Sequence, residues 1–312
     1  GIGCGRVVQE VSRIVCSHDG VIGWKSDLSK YFDSVPLRYI DEMFDKVEAD
    51  HGKSKIIDVI RDYYHCNLYF DEDNNLCESY QSLKQGCAVA AWLADVILYH
   101  IDQRMSTMFG GYYVRYSDDM LFLGDRYKEA MDGLMDYLSE MQMTLNPKKV
   151  EYLDNEHWFK FLGFAIRGSD ISLPKSRLKK FQKEIEARTI KDRDISPVRA
   201  INAVNRYLYK GYDGHSWATL VLSVINVRKD INTMNGFIMD CIRAVMTGKR
   251  KIGGLGFVKE QKEGCITRGK GKNVRSNRDK TGTRIDGYIS LGCMRNALIT
   301  SRDVYNTLVA NL

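Results

Sequence analysis

YSDDMLFL, residues 116–123, sets two adjacent carboxylates, Asp118 and Asp119, at the junction of two β-rich segments, 112–116 and 120–123. Ser and Asp are common turn residues, so Ser117-Asp118-Asp119 taken alone reads as the exposed tip of a hairpin. Adjacent like charges raise each other's pKa, and a site that keeps both ionised ordinarily supplies a cation. A third acid, Asp27, ends an apolar strand expected over residues 21–27, where a carboxylate is hard to explain structurally. Oxygen ligands in a small carboxylate cluster favour Mg²⁺ or Mn²⁺, and Mg²⁺ ordinarily binds one or two carboxylates together with substrate phosphates. Two such ions about 4 Å apart can activate an attacking hydroxyl and stabilise the leaving oxygen of an in-line phosphoryl transfer. Nucleotide polymerisation is a chemistry of that kind.

Working outward from this hairpin, amphipathic helices are expected over 37–48 and 54–64, with Pro36 placed to start the first. Segments 67–70 and 76–79 flank the acidic, Asn-rich DEDNN and read as a hairpin, followed by one long helix from about 88 to 105. That helix is apolar on most faces and is expected to be buried. Beyond residue 123 the pattern gives a helix over 127–141 and short strands over 150–153 and 158–164. From 175 onward it turns helical, through 177–188, 197–209 and 217–246, so a domain change is expected near 170–175. The fold class is therefore α/β (α+β), an antiparallel sheet with its hairpin followed by an α-helical region. The expected domains are residues 1–172, 173–248 and 249–312.

The chain of 312 residues is long enough for two domains, and 44% hydrophobic with 28% charged residues is ordinary globular usage. The longest apolar run, 87–97, is interrupted by Asp95 and falls short of the roughly 18–20 residues of a membrane span, so no membrane partner is expected. No signal peptide is legible, and a reducing cytoplasm is the expected compartment. The 8 cysteines lie scattered without a CxxC pair, so neither a disulfide framework nor a zinc site is indicated, and the thiols are expected to be mostly buried. Because the chain opens on Gly1 without a methionine, a trimmed chain or partial reading frame is expected. Charge is uneven: residues 249–284 hold 12 Lys/Arg against 3 Asp/Glu, so the rest of the chain is net acidic. Arg268, Lys270, Lys272, Arg275 and Arg278, spaced by Gly, Asn and Ser, suit contacts to nucleic-acid phosphates.

Taken in order, the motifs resemble a reverse transcriptase palm of the bacterial and phage retroelement kind. SDLSKYFDSV, residues 26–35, resembles the first carboxylate motif of that family. The resemblance implies that Asp27 binds both metal ions, that the Leu28 carbonyl completes a coordination sphere, and that Tyr31 and Phe32 lie at the nucleotide. Phe32 matches the aromatic that stacks under the sugar and excludes a 2′-hydroxyl. QGCAVAAWLADVIL, residues 85–98, resembles the motif opening the helix beneath template and incoming nucleotide, with Gln85 and Gly86 at the nucleotide. Bacterial members usually carry Ser-Pro or Ser-Gln where this chain has Ala90-Ala91. In YSDDMLFL the resemblance makes Asp118 the second principal metal ligand and Asp119 the weaker one. LNPKKVEYL, residues 145–153, resembles the motif whose lysine, here Lys149 rather than Lys148, protonates departing pyrophosphate. FKFLGF, residues 159–164, resembles the primer grip, assigned to Phe161, Leu162 and Gly163.

The helical region resembles the thumb of bacterial retroelement enzymes, in which Lys179, Lys180 and Lys183 would face the backbone of a template–primer duplex. The resemblance implies an RNA-directed DNA polymerase working with two Mg²⁺ ions, Mn²⁺ being the possible substitute. Its partners would be an RNA template, a DNA or RNA primer and dNTPs, with a dedicated structured non-coding RNA as a further candidate. Residues 1–15 resemble the stretch joining fingers to palm. With the family's preceding fingers absent, the chain as given is expected to polymerise poorly. Two other readings stay open: a defence-associated relative that adds nucleotides without copying or uses a dedicated RNA, and a catalytically silent RNA-binding maturase-like module.

Overall fold

The structure, a computed structural model, describes residues 3–78, 82–84, 86–192, 194–211, 215–250 and 285–298. Along the chain, α1 (Cys4–Cys16) is followed by β1 (Gly23–Asp27), α2 (Tyr31–Ser34), α3 (Leu37–His51), α4 (Lys55–His65), β2 (Leu68–Phe70) and β3 (Leu76–Glu78). Then come α5 (Ala88–Val96), α6 (Tyr99–Met108), β4 (Tyr112–Tyr116), β5 (Asp119–Leu123), α7 (Tyr127–Glu140) and β6 (Glu151–Leu153). The remainder is β7 (Phe159–Phe161), β8 (Phe164–Arg167), β9 (Asp170–Ser172), α8 (Lys175–Ala187), α9 (Pro197–Tyr209), a π-helical turn Ala218–Leu222 and α10 (Arg228–Thr247). Two compact units result, one of His18–Asp154 and one of Gly1–Ser17 with Asn155–Leu312. This division precedes β7, and the helical stretch begins later, at α8. Among the described residues no helix is long and apolar enough to cross a membrane.

In the unit His18–Asp154 an antiparallel sheet runs β4-β5-β1-β6. Side chains alternate across it. Trp24 lies opposite Phe122, their rings stacked at 5.9 Å, and both are fully buried, with α7 packed against their two strands. The Trp24 indole N–H donates to the Tyr127 carbonyl at 2.8 Å, so burying this large residue leaves no orphaned donor. Ile40, Leu93, Ile101, Leu134 and Leu138 complete the apolar layer under the sheet. The helix expected over 88–105 is interrupted at Ile97 and Leu98, which separate α5 from α6. There the Ala94 carbonyl accepts from the Tyr31 hydroxyl at 2.7 Å and the Asp95 carbonyl from Arg115 at 2.9 Å, side-chain donors replacing the helix's own N–H groups. Nor is the helical pair uniformly buried: Trp92 is 40% and Tyr99 54% exposed.

The other unit holds the sheet β7-β8-β9, against which α1 packs, with Ser12 Oγ donating to the Gly168 carbonyl at 2.8 Å. The helix expected over 217–246 is also broken. Residues 223–227 leave the helical path because Asn226 joins β9, its N–H donating to Ile171 O at 3.0 Å and its amide oxygen accepting from Ile171 N at 2.8 Å. Burial raises the Asp230 carboxyl to about 6, partly offset by the Ser172 hydroxyl that donates to it. Of the described cysteines only Cys241 is buried; Cys16, Cys66 and Cys293 are exposed, contrary to the expectation of mostly buried thiols, because they sit at helix ends and on outer faces.

Backbones approach closely where β1 meets β5. A Cβ built on Gly23 falls 2.0 Å from the Phe122 carbonyl oxygen, a clash that only a strand shift relieves. Gly23→Ala is therefore expected to destabilise the protein by at least about 2 kcal/mol, measured by denaturant unfolding, with the added methyl disturbing register rather than filling a void.

Candidate active site

The register of β1 with β5 places Asp27 directly opposite Asp119. Paired residues share a face, so both carboxylates project on the side opposite Trp24 and Phe122. Asp118 occupies the two-residue turn between β4 and β5, with Ser117 before it at φ 58. Leu28 N donates to the Asp118 carbonyl at 3.3 Å. On the other side of β1, Asn146 N donates to Asp27 O and Ser29 N to Thr144 O, each at 2.8 Å. Because alternate residues of a strand bond to alternate sides, Leu28 presents its carbonyl toward the hairpin rather than toward 144–146.

Asp27 is 7% exposed, and a carboxylate so enclosed needs a partner. Lys149 Nζ supplies one, 2.7 Å from Asp27 Oδ2, and this hydrogen bond raises the Lys149 pKa, keeping the ammonium charged. The turn that carries Lys149 is closed by its own N–H donating to Asn146 O at 2.9 Å, while Lys148 is left exposed. The Asp119 carboxyl is raised above its ordinary value, first by burial, then by the charges of Asp118 and Asp27, against the smaller opposing pull of Lys149 and Lys25.

Among the described residues no three acidic, His or Cys side chains converge closely enough to hold an ion. Like-charge repulsion opposes that convergence, and Lys149 already engages one oxygen of Asp27. The donor set still fits a divalent cation. It is oxygen-only, it carries excess negative charge that raises Asp119, and the Leu28 carbonyl faces the same hairpin.

The structure brings Asp27, Leu28, Asp118, Asp119 and Lys149 together and separates Tyr31 from Phe32. Tyr31 is 2% exposed beneath the sheet, its hydroxyl on Ala94 O, and acts as a strut between α2 and α5. Phe32 is half-buried, its ring edge-on to Tyr31 at 5.8 Å. Gly86 is exposed at φ 88, and Gln85 lies outside the described residues. Lys84, which sequence reasoning passed over, donates to the Tyr63 and Cys66 carbonyls at 2.5 Å each, tying the approach to Gly86 to the end of α4. Arg115 was also missed; its signal is a cation in an otherwise apolar strand, two residues before Ser117.

In the other unit, Leu162 and Gly163 form a two-residue turn with φ 46 and 78 between β7 and β8, as the tight turn expected at Gly163 requires. Arg177 Nη1 donates to the Gly163 carbonyl at 3.0 Å while its guanidinium lies 5.0 Å from the Phe164 ring centroid. Phe161 is buried. Lys179, Lys180 and Lys183 lie on the exposed face of α8, opposite Leu178, Phe181 and Ile185. Arg268, Lys270, Lys272, Arg275 and Arg278 lie outside the described residues.

Residues 15–166 match the family model described as reverse transcriptase (RNA-dependent DNA polymerase). No curated protein matches the chain significantly in sequence. Among solved structures it is similar to apo telomerase from Candida tropicalis truncated from the C-terminal domain, at 13% identity and TM-score 0.41, covering 55% of this chain and 40% of that one. It is similar also to Candida tropicalis telomerase in complex with a TWJ fragment of telomeric RNA, at 12% identity and TM-score 0.48, covering 80% and 43%. A foamy viral protease–reverse transcriptase in complex with an RNA/DNA hybrid shares 18% identity at TM-score 0.36, covering 64% and 23%. The chain thus spans less than half the length of each of these relatives.

Asp119 gives a stability test of the crowded carboxylates. A carboxyl whose folded pKa is raised contributes stability present below its unfolded pKa and lost as pH rises through the folded value. Asp119→Asn is therefore expected to raise the melting temperature in EDTA at pH 7 by about 1–2 °C, a figure kept small by solvent screening, and to leave it unchanged at acid pH where Asp119 is already protonated. Equal shifts at both pH values would remove burial and crowding of the ionised carboxylate as the cause.

Proposed function

We propose that this chain, which carries a reverse transcriptase domain over residues 15–166, is an RNA-directed DNA polymerase of a bacterial or phage retroelement. It would extend a primer 3′-hydroxyl with dNTPs on an RNA template. The observation that carries the reading is the pairing of Asp27 with Asp119 beside Asp118, with the Leu28 carbonyl on the hairpin side of β1 and Lys149 bound to Asp27. Reverse transcriptase domains use divalent ions, and here Asp27, Asp118, Asp119 and the Leu28 carbonyl would hold two Mg²⁺, or Mn²⁺ in their place. Ions so held would lower the pKa of the attacking hydroxyl and neutralise charge on the transferring phosphoryl group.

The chain's own groups do the rest. Strand pairing fixes the carboxylates before substrate arrives, so little reorganisation is left for the reaction. Asp27 keeps Lys149 protonated at Nζ before the reaction, and the lysine, once freed, can give that proton to pyrophosphate oxygen as that group departs. Phe32, half-buried five residues after Asp27, would offer a flat apolar surface under a deoxyribose and disfavour a 2′-hydroxyl, selecting dNTPs over NTPs. In the other unit, the Leu162-Gly163 turn would support the primer end, and Lys179, Lys180 and Lys183 would contact duplex phosphates.

The test is dNTP incorporation on a primed RNA template with Mg²⁺ by the full-length protein and its Asp118→Ala variant. Template-dependent synthesis that falls at least about a hundredfold on substitution supports the reading. Synthesis that persists without template replaces it with a template-independent polymerase, and no synthesis by either protein replaces it with an RNA-binding module.

A further inference from the structure

Beneath the acidic hairpin, on the covered side of the sheet, lies Arg115. It pairs with Met120, which pairs in turn with Ser26, and this row points toward the helices. The next row, Tyr116, Asp119 and Asp27, points the other way. The Arg115 side chain is only 6% exposed. Its Nε and Nη2 grip the two oxygens of Asp102 at 2.8 and 2.6 Å, the two-pronged carboxylate partner a buried guanidinium requires.

Asp102 uses only part of the fork. Nη2 also donates to the Asp95 carbonyl at 2.9 Å, and Nη1 donates to the Ser117 carbonyl at 3.0 Å with longer contacts to Ala94 O and Asp95 Oδ1, each at 3.4 Å. One planar group therefore joins the α5–α6 break to the first residue of the catalytic turn. That residue needs holding. Ser117 has φ 58, and positive φ at the first position alone is the pattern of a turn that prefers glycine there. A non-glycine residue persists in such a conformation only where its surroundings impose it.

We infer that Arg115 is a positioning residue for the reaction: from beneath the sheet it fixes the Ser117 carbonyl to the α5–α6 break and so aims Asp118 and Asp119. The inference rests on Asp118 being a cation ligand. It differs from a merely structural role, in which the Arg115–Asp102 pair would only fasten α6 to β4. Lysine separates the two, because it keeps a positive charge facing Asp102 but lacks the rigid fork that reaches both backbone segments.

The experiment titrates Mn²⁺, followed by electron paramagnetic resonance, into the full chain and into the Arg115→Lys, Asp102→Asn and Asp118→Asn variants, each with its melting temperature recorded. Arg115→Lys is expected to weaken Mn²⁺ binding at least fivefold. Asp102→Asn keeps an oxygen facing Arg115 and is expected to leave its carbonyl contacts in place, staying within twofold for Mn²⁺ while melting lower, so it keeps the inference testable even if Arg115→Lys fails to fold. In primer extension on oligo(dT)-primed poly(rA), Arg115→Lys should lower kcat at least tenfold and change the KM for dTTP less than threefold. Mn²⁺ binding that Asp118→Asn abolishes but Arg115→Lys leaves unchanged overturns the role of Arg115 alone, as does a fivefold loss in Asp102→Asn. Binding that Asp118→Asn does not alter overturns the underlying site as well.

Discussion

Everything proposed for this chain depends on one register: β1 antiparallel to β5 with Asp27 opposite Asp119. A slip of one residue would turn one strand's acid into the apolar layer that holds Trp24 and Phe122, leaving a buried charge and an exposed aromatic together. The hydrophobic face thus enforces the polar one. The same register lets Gly23 pass against the Phe122 carbonyl, an approach no larger residue could make.

Holding three carboxylates near one another works against stability, and the surrounding structure answers in two ways. Lys149 covers the buried Asp27 from the solvent side, and because its own ammonium reaches water, a cation can displace it. Arg115 and Asp102 answer from beneath, where burial makes their geometry rigid and their separation costly. The upper contact is exchangeable and the lower one is not. That asymmetry suits a site whose scaffold must stay fixed while its counter-charges come and go.

Much of this was legible in the sequence because it rests on local pattern. The β-rich segments flanking Ser117-Asp118-Asp119, the helix over Pro197–Tyr209 and the glycine turn at 163 all follow from periodicity and turn chemistry. Asp27, Asp118, Asp119 and Lys149 were placed together through motif resemblance and are neighbours in the structure. What stayed hidden is decided by distant partners. The break between α5 and α6 exists because Tyr31 and Arg115 take helix carbonyls, and residues 223–227 unwind because Asn226 reaches β9. Tyr31 and Phe32 are adjacent letters of one motif, yet the strand-to-helix turn buries the first and leaves the second half-exposed.

The most direct test of the account is a crystal structure of the protein with Mn²⁺ and a non-hydrolysable dNTP, in which manganese is located by its anomalous scattering. The account predicts manganese bound by Asp27, Asp118 and the Leu28 carbonyl, with Lys149 released from Asp27. Manganese bound elsewhere, with the Lys149–Asp27 pair intact and the nucleotide absent from Phe32, would contradict it.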